Sequence, residues 1–195
     1  MAVVETAGGV TRGNLAARTV RVLNRGSRRN PDVFLVEVGG RRLVVKDFAP
    51  RGRWVRATVG RWITAREIRA WRALAGHPAV PPFVGRIDAL AFAVEYWPGE
   101  RFSGRTLEAL PAEFGERLGA AFSEMHRRGV VHLDLRHRSN VMIGEGGDPF
   151  LIDFGSAFTF RPGGFAARWI LPLLARLDRA ALEKWRSRLP PPEAG

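Results

Sequence analysis

Apolar and polar positions alternate with a period of two in three early runs, Arg18 to Leu23, Val33 to Val38 and Arg42 to Phe48, and each reads as a β-strand. The last two are joined by Gly39-Gly40, a two-residue hairpin signal. From Arg53 to Leu74 the period lengthens to that of an amphipathic helix, with Trp54, Ile63, Ile68, Trp71 and Leu74 among its apolar positions and Gly76-His77-Pro78 as its stop. Val84 to Asp88 and Leu90 to Glu95 read as two more strands, which makes five and predicts an antiparallel sheet. Pro111 to Arg128 is a second amphipathic helix, with Phe114, Leu118, Phe122 and Met125 along one face and Gly129 behind it. Val130-Val131, Asn140 to Ile143 and Phe150 to Ile152 are short apolar runs, and Gly144 to Pro149 turns the last two into a hairpin. After a break at Pro162-Gly163-Gly164 come one or two helices between Phe165 and Leu189. Residues 1–18 lack strong periodicity and are expected to be a loosely held arm. The pattern predicts an α+β protein.

Composition narrows this picture. A chain of 195 residues, 46% hydrophobic and 26% charged, suits one globular domain or two small lobes. No apolar run approaches the ~18 residues that would span a bilayer, and the opening MAVVETAGG has no signal-peptide pattern, so a cytoplasmic protein is expected. The absence of cysteine excludes disulfides and thiolate metal sites, and four histidines leave little for a zinc centre. Basic residues outnumber acidic ones 31 to 19, a net charge of +12, and lysine occurs only at Lys46 and Lys184. Two readings of this excess stand side by side. One is a genomic bias toward arginine; the other is a surface that meets polyanions, either anionic lipid headgroups or nucleic acid.

Candidate chemistry concentrates between Val130 and Ser156, where Asp134, Asn140 and Asp153 stand beside the short strands. The predicted hairpin brings Asn140 and Asp153 together and supplies two oxygen ligands of the kind a hard Mg²⁺ ion accepts. Asp134, in the preceding loop, would orient a hydroxyl nucleophile. A hairpin whose Asp and Asn merely make turns is the plain alternative. Lys46 ends an apolar strand, where a cation inside a sheet needs an anionic partner. Between Asp47 and Asp88 the only acidic residue is Glu67, which otherwise would balance Arg66 and Arg69.

The stretch resembles the protein-kinase superfamily. His132-Leu133-Asp134 is similar to the catalytic loop, with Leu where Arg is usual, and Asp153-Phe154-Gly155 matches the DFG motif. Asn140 resembles the metal-binding Asn, although it follows Asp134 by six residues where the family has five. Lys46 and Glu67, 21 positions apart, resemble the Lys–Glu pair, and Glu95-Tyr96-Trp97-Pro98-Gly99 resembles the hinge, a stretch that a strand ending in a Pro-Gly turn would spell equally well. The loop Asn24 to Pro31 offers Gly26, Ser27 and three arginines for phosphate, or else is an exposed basic turn.

The resemblance implies a bilobal, protein-kinase-like fold: an N-lobe over residues 1–97 with a five-stranded antiparallel sheet and one helix, and a truncated, mainly helical C-lobe over 98–195. It implies that ATP is held by Lys46, oriented by Glu67, with Gly26 and Ser27 at the phosphates and Val44, Val94, Met142 and the Glu95 and Trp97 backbone around the base. Mg²⁺, or Mn²⁺, would sit on Asn140 and Asp153, with Asp134 as base and Arg136 neutralising the transferred phosphoryl. With Leu133 in place of Arg, constitutive activity is expected. The short C-lobe is similar to those of lipopolysaccharide kinases, including Kdo and heptose kinases, and of RIO-like and Bud-type kinases. A sugar or glycolipid acceptor ranks ahead of a protein, and a pseudokinase scaffold is the rival class. Arginines from Arg161 to Arg188, interleaved with Trp169, Ile170, Leu171, Leu174 and Trp185, would seat an anionic glycolipid or contact the inner face of the membrane; an ordinary packed helix is the alternative.

Overall fold

The computed structural model describes residues 7–101, 106, 110–137 and 139–189. The chain forms two compact units, one of Met1–Arg72 with Pro82–Tyr96, the other of Ala73–Pro81 with Trp97–Gly195. The chain crosses between the units three times, at 72/73, 81/82 and 96/97, so residues 73–81 go with the second unit. The reason is hydrogen bonding: Leu151 N–H donates to the Ala79 carbonyl (2.8 Å), and His77 Nε2 lies 3.1 Å from the Ala121 carbonyl.

In the first unit a short helix α1 (Leu15–Arg18) leads into β1 (Thr19–Asn24), β2 (Asp32–Val38) and β3 (Arg41–Asp47). Gly39 and Gly40 adopt φ of 58° and 76°, the pair of left-handed residues that a tight hairpin between β2 and β3 requires. Next come α2 (Arg53–Val55), a π-helical turn (Arg56–Gly60) and α3 (Arg61–Ala73), then β4 (Phe83–Arg86) and β5 (Ala91–Glu95). All strand pairs are antiparallel, in the order β1-β2-β3-β5-β4, so β5 inserts between β3 and β4.

Two expectations need correction in this unit. The N-terminal segment from Ala7 is not a loose arm: Ala7, Val10 and Leu15 are buried in one cluster with Val36, Leu43, Val45 and Ala93. Each such aliphatic side chain contributes about 1.5–3 kcal/mol of burial if fully enclosed, enough to pin an otherwise aperiodic segment. Trp54, expected on the apolar face of the helix, is 84% exposed. The π-turn explains it, because the wider turn breaks the 3.6-residue phase between Trp54 and the buried positions Thr64, Glu67, Ile68 and Trp71.

The second unit contains β6 (Gly99–Arg101), α4 (Phe114–Arg127), β7 (Val130–Val131), β8 (Val141–Gly144), β9 (Pro149–Leu151), a 3₁₀ turn (Phe154–Ser156), β10 (Phe158–Thr159), α5 (Phe165–Trp169) and α6 (Leu171–Arg186). Strands β6-β8-β9 form one small sheet and β7-β10 another. The predicted face of α4, Phe114, Leu118, Phe122 and Met125, is buried, and Gly129 (φ 80°) ends the helix where a side chain would overlap the Phe160 carbonyl. Helix α6 packs on α4 and on β7, burying Ala175, Asp178, Ala181, Leu182 and Trp185. Among the described residues no helix is long and apolar enough to cross a membrane.

Candidate functional site

In the first unit, β3 and β5 pair Val44 directly with Val94 and Lys46 with Phe92. Alternation along β3 puts Val44 and Lys46 on the sheet face opposite Leu43 and Val45, whose face carries the buried cluster. Lys46 Nζ meets Glu67 Oε1 at 2.6 Å, with the Glu67 side chain 1% exposed and that of Lys46 12%. Helix α3 thus holds a carboxylate against the strand cation. Removing one partner from so buried a pair costs about 3–5 kcal/mol, since it leaves the other charge uncompensated.

The loop from Arg25 to Pro31 does not offer the phosphate cradle expected of it. The Gly26 N–H donates to Asp32 Oδ1 (2.9 Å), and Arg51 Nη1 bonds the carbonyls of Gly26 (2.8 Å) and Ser27 (3.0 Å) while Nη2 meets Asp32. Asp32 is buried and takes a further bond from Arg25 (3.1 Å). Gly26 is glycine because a Cβ would overlap the Asn30 and Pro31 carbonyls. At the end of β5, the Glu95 side chain pairs with Arg41 at 2.5 Å, and the Glu95 N–H bonds the Pro82 carbonyl.

The second unit assembles the remaining residues. Strand β7 delivers the chain to His132, Leu133 and Asp134, while β8 starts just after Asn140 and β9 ends just before Asp153. The Ile152 N–H donates to the Asn140 carbonyl (3.1 Å), extending the hairpin by one step and bringing Asn140 and Asp153 out at the same end. Asn140 Nδ2 donates to the Asp134 carbonyl (3.0 Å) and to Asp134 Oδ2 (2.9 Å), and Ser139 Oγ donates to Asn140 Oδ1 (3.0 Å). Between Asp134 and Asn140, the His137 N–H donates to the Asp134 carbonyl (3.3 Å) and the Asn140 N–H to the His137 carbonyl (3.2 Å). His137 Nε2 also lies 3.5 Å from Asp134 Oδ1. Arg136 is exposed, Arg138 lies outside the described residues, and Met142 on β8 pairs with Phe150. Trp97 packs edge-on against Phe150, ring centroids 5.7 Å apart.

Among the described residues Leu133 and Asp153 are the two non-glycine residues with positive φ, 66° and 64°, one in each segment that carries a candidate carboxylate. The restraint on Leu133 comes from a residue that sequence reasoning missed. Asp178 on α6, fully buried, accepts from the His132 N–H (2.8 Å) and the Leu133 N–H (2.9 Å) and lies 2.9 Å from His126 Nε2. Trp185, two turns later, donates its indole N–H to the Leu135 carbonyl (2.8 Å) and is buried, so of the two readings of this helix Trp185 follows the packed one and is no part of a glycolipid seat. The signal was present, because Asp178 falls on the apolar stripe of α6 with Ala175, Leu182 and Trp185, where an acid needs donors.

His132 ties the segments together. It is completely buried, with Nε2 3.0 Å from the Ile152 carbonyl and its ring 4.9 Å from Phe154. Burial pushes its pKa below the ordinary 6.5, so the neutral ring donates through Nε2–H.

Asn140 and Asp153 carry oxygen donors of the kind Mg²⁺ accepts, and Asn140 Oδ1 also accepts from Ser139 Oγ. Asp153 is exposed, its backbone is held left-handed, and the Gly155 N–H donates to Oδ1 (3.4 Å). Among the described residues no three His, Asp or Glu side chains converge, so an ion here would complete its shell with water and substrate phosphate, as Mg²⁺ does. No protein-family model matches the chain, and no curated protein matches it significantly.

Proposed function

We propose that this protein is a phosphotransferase of the protein-kinase-like class, bilobal in architecture, which uses ATP and Mg²⁺ to phosphorylate a hydroxyl on a sugar or glycolipid. The observation that carries the reading is the direct bond between Asn140 and the Asp134 carboxylate, at the hairpin end from which Asp153 also emerges. An Asn that merely makes a turn would have no reason to bond the half-exposed Asp134 carboxylate.

In this reading each unit makes its own contribution. Lys46, oriented by Glu67, binds nucleotide phosphate, and Val44 and Val94 present an apolar sheet face to the base. Asp134 accepts the proton of the acceptor hydroxyl as its oxygen bonds to the γ-phosphorus and the bond to the ADP oxygen breaks. Asn140 keeps the Asp134 carboxylate turned toward the acceptor, and Arg136 offsets charge on the transferred group. Mg²⁺ held by Asn140 and Asp153 would supply neutralisation of the phosphate charge.

The acceptor preference draws support from α5 and the start of α6, where Phe165 is 80% and Trp169 64% exposed and Ile170, Leu173 and Leu177 are also exposed beside Arg161, Arg168 and Arg176. Aromatic and aliphatic side chains interleaved with arginines suit a peripheral site on an anionic membrane surface at the cytoplasmic face. Incubation of the purified protein with γ-labelled ATP, Mg²⁺ and a panel of lipopolysaccharide core fragments, anionic glycolipids and protein serines is the test. Transfer to the first two classes is expected; readily phosphorylated serines with untouched glycans would favour an atypical protein kinase, and tight ATP binding with no transfer a scaffold.

A further inference from the structure

Asp134 opens into a pocket of about 780 Å³ in the second unit, lined also by Arg101, Arg136, His137, Ser139 and Lys184. Arg101 ends β6, opposite Met142 of β8, whereas Lys184 projects from α6 one residue before Trp185, so two unrelated elements bring cations to the same depression. Among the described residues Arg101, Arg136 and Lys184 have no carboxylate partner, and Asp134 is the pocket's only acid. In the same unit Arg117, Arg127, Arg128 and Arg186 each meet a carboxylate at 2.5–3.3 Å, whereas Arg161, Arg168, Arg176 and Arg179, like these three cations, meet none among the described residues; what sets Arg101, Arg136 and Lys184 apart is that they line one depression. Three cations around a single carboxylate repel one another more than that one charge offsets, and Lys184 among them is half-buried. The arrangement becomes favourable when an anion enters.

We propose that Arg101 and Lys184 form a subsite for an anionic group, phosphate or carboxylate, carried by the acceptor beside the hydroxyl that faces Asp134. The assignment of that hydroxyl rests on the phosphotransferase reading above; the anion subsite itself does not. The two cations differ in kind: the Arg101 guanidinium presents a planar fork to two oxygens, and the Lys184 ammonium is a point charge. Lys184 is also one of only two lysines in the chain, the other being Lys46.

The test uses the full-length protein with glucose 1-phosphate, glucose and inorganic phosphate as probes, followed by backbone amide shifts of Ser139, Lys184 and their neighbours. Glucose 1-phosphate is expected to shift these amides saturably and glucose is not. Arg101→Met and Lys184→Met should each weaken the apparent Kd about tenfold, the worth of one charge-assisted bond. Lys184→Arg should keep binding within a few-fold, which separates lost charge from lost packing beside Trp185. Mg-ATP affinity, measured separately, should change less than twofold in all three variants. Wild-type binding by both Met variants, or equal shifts with glucose, overturns the subsite, and tighter binding of inorganic phosphate than of glucose 1-phosphate overturns its assignment to an acceptor. If wild type binds glucose 1-phosphate through these residues yet neither binds nor turns over ATP, the subsite stands and the phosphotransferase reading falls.

Discussion

Replacing Asp178 by alanine removes a buried carboxylate that two backbone N–H groups share, those of His132 and Leu133 at 2.8 and 2.9 Å. Each donor left unpaired in a dry site costs about 1–3 kcal/mol, so the pair amounts to about 2–6 kcal/mol. Leu133 offsets part of this, because its left-handed φ of 66° costs about 1–2 kcal/mol in the intact fold and can relax once its N–H is released. The third partner, His126, is only partly buried and can turn to water, so it contributes little. We expect a loss of about 2–4 kcal/mol in urea unfolding with an unchanged m-value, a large share of the 5–15 kcal/mol typical of a folded domain. Asp178→Asn keeps one acceptor oxygen and should lose roughly half as much. In the transfer assay both variants should slow turnover while leaving ATP affinity intact, since the perturbed loop carries Asp134. A loss below about 1 kcal/mol for Asp178→Ala, at constant m-value, would mean that the loop satisfies its donors elsewhere and that α6 does not restrain it.

Asp153→Ala should keep the fold, because the side chain is exposed, yet lower phosphoryl transfer by about 10²-fold or more, the scale of lost electrostatic stabilisation; a folded variant with full ATP-dependent activity would rule out the metal role. Burial lowers the pKa of His132, and likewise that of His77, so as pH falls through 6.5 the unfolded chain takes up protons that the folded chain refuses. Stability present above pH 6.5 should therefore decline toward pH 5 by up to about 1.4 kcal/mol per pH unit for each histidine, and a flat urea midpoint across that window would contradict the buried neutral rings. Gly26→Ala should destabilise the first unit by about 1–3 kcal/mol through overlap with the Asn30 and Pro31 carbonyls, while Mg-ATP affinity measured below the unfolding midpoint stays within threefold. A tenfold loss of ATP affinity would restore this loop to the nucleotide site.

The strands and the α3 and α4 helices were legible because their burial is one-sided, and a one-sided surface writes its period into the sequence. The candidate residues Lys46 and Glu67, and Asp134 and Asn140, were legible as types at spacings; their pairing at 2.6 and 2.9 Å comes from α3 presenting Glu67 to the β3 cation and from the loop between β7 and β8 folding Asn140 back onto Asp134. Three things were not legible. Ala7, Val10 and Leu15 pack through loop geometry rather than a repeat, so no periodicity announces them. Gly26 looked available for phosphate because nothing local shows that Asp32 and Arg51 come back to occupy its N–H and carbonyl. Trp54 followed a helical phase that the π-turn interrupts, and a single widened turn leaves no mark on residue types.

The dependence of the Asp134 loop on α6 also has a consequence for the order of events during synthesis. Translation completes the whole run from His132 to Gly155 well before Asp178 and Trp185 exist, and until then the N–H groups of His132 and Leu133 and the Leu135 carbonyl lack the partners they have in the finished fold. A nascent chain therefore carries every residue of the candidate site without its geometry. The loop's bonds arrive only with the last turns of α6, and a chain truncated between Ser156 and Asp178 would carry the candidate residues without the partners that hold the loop.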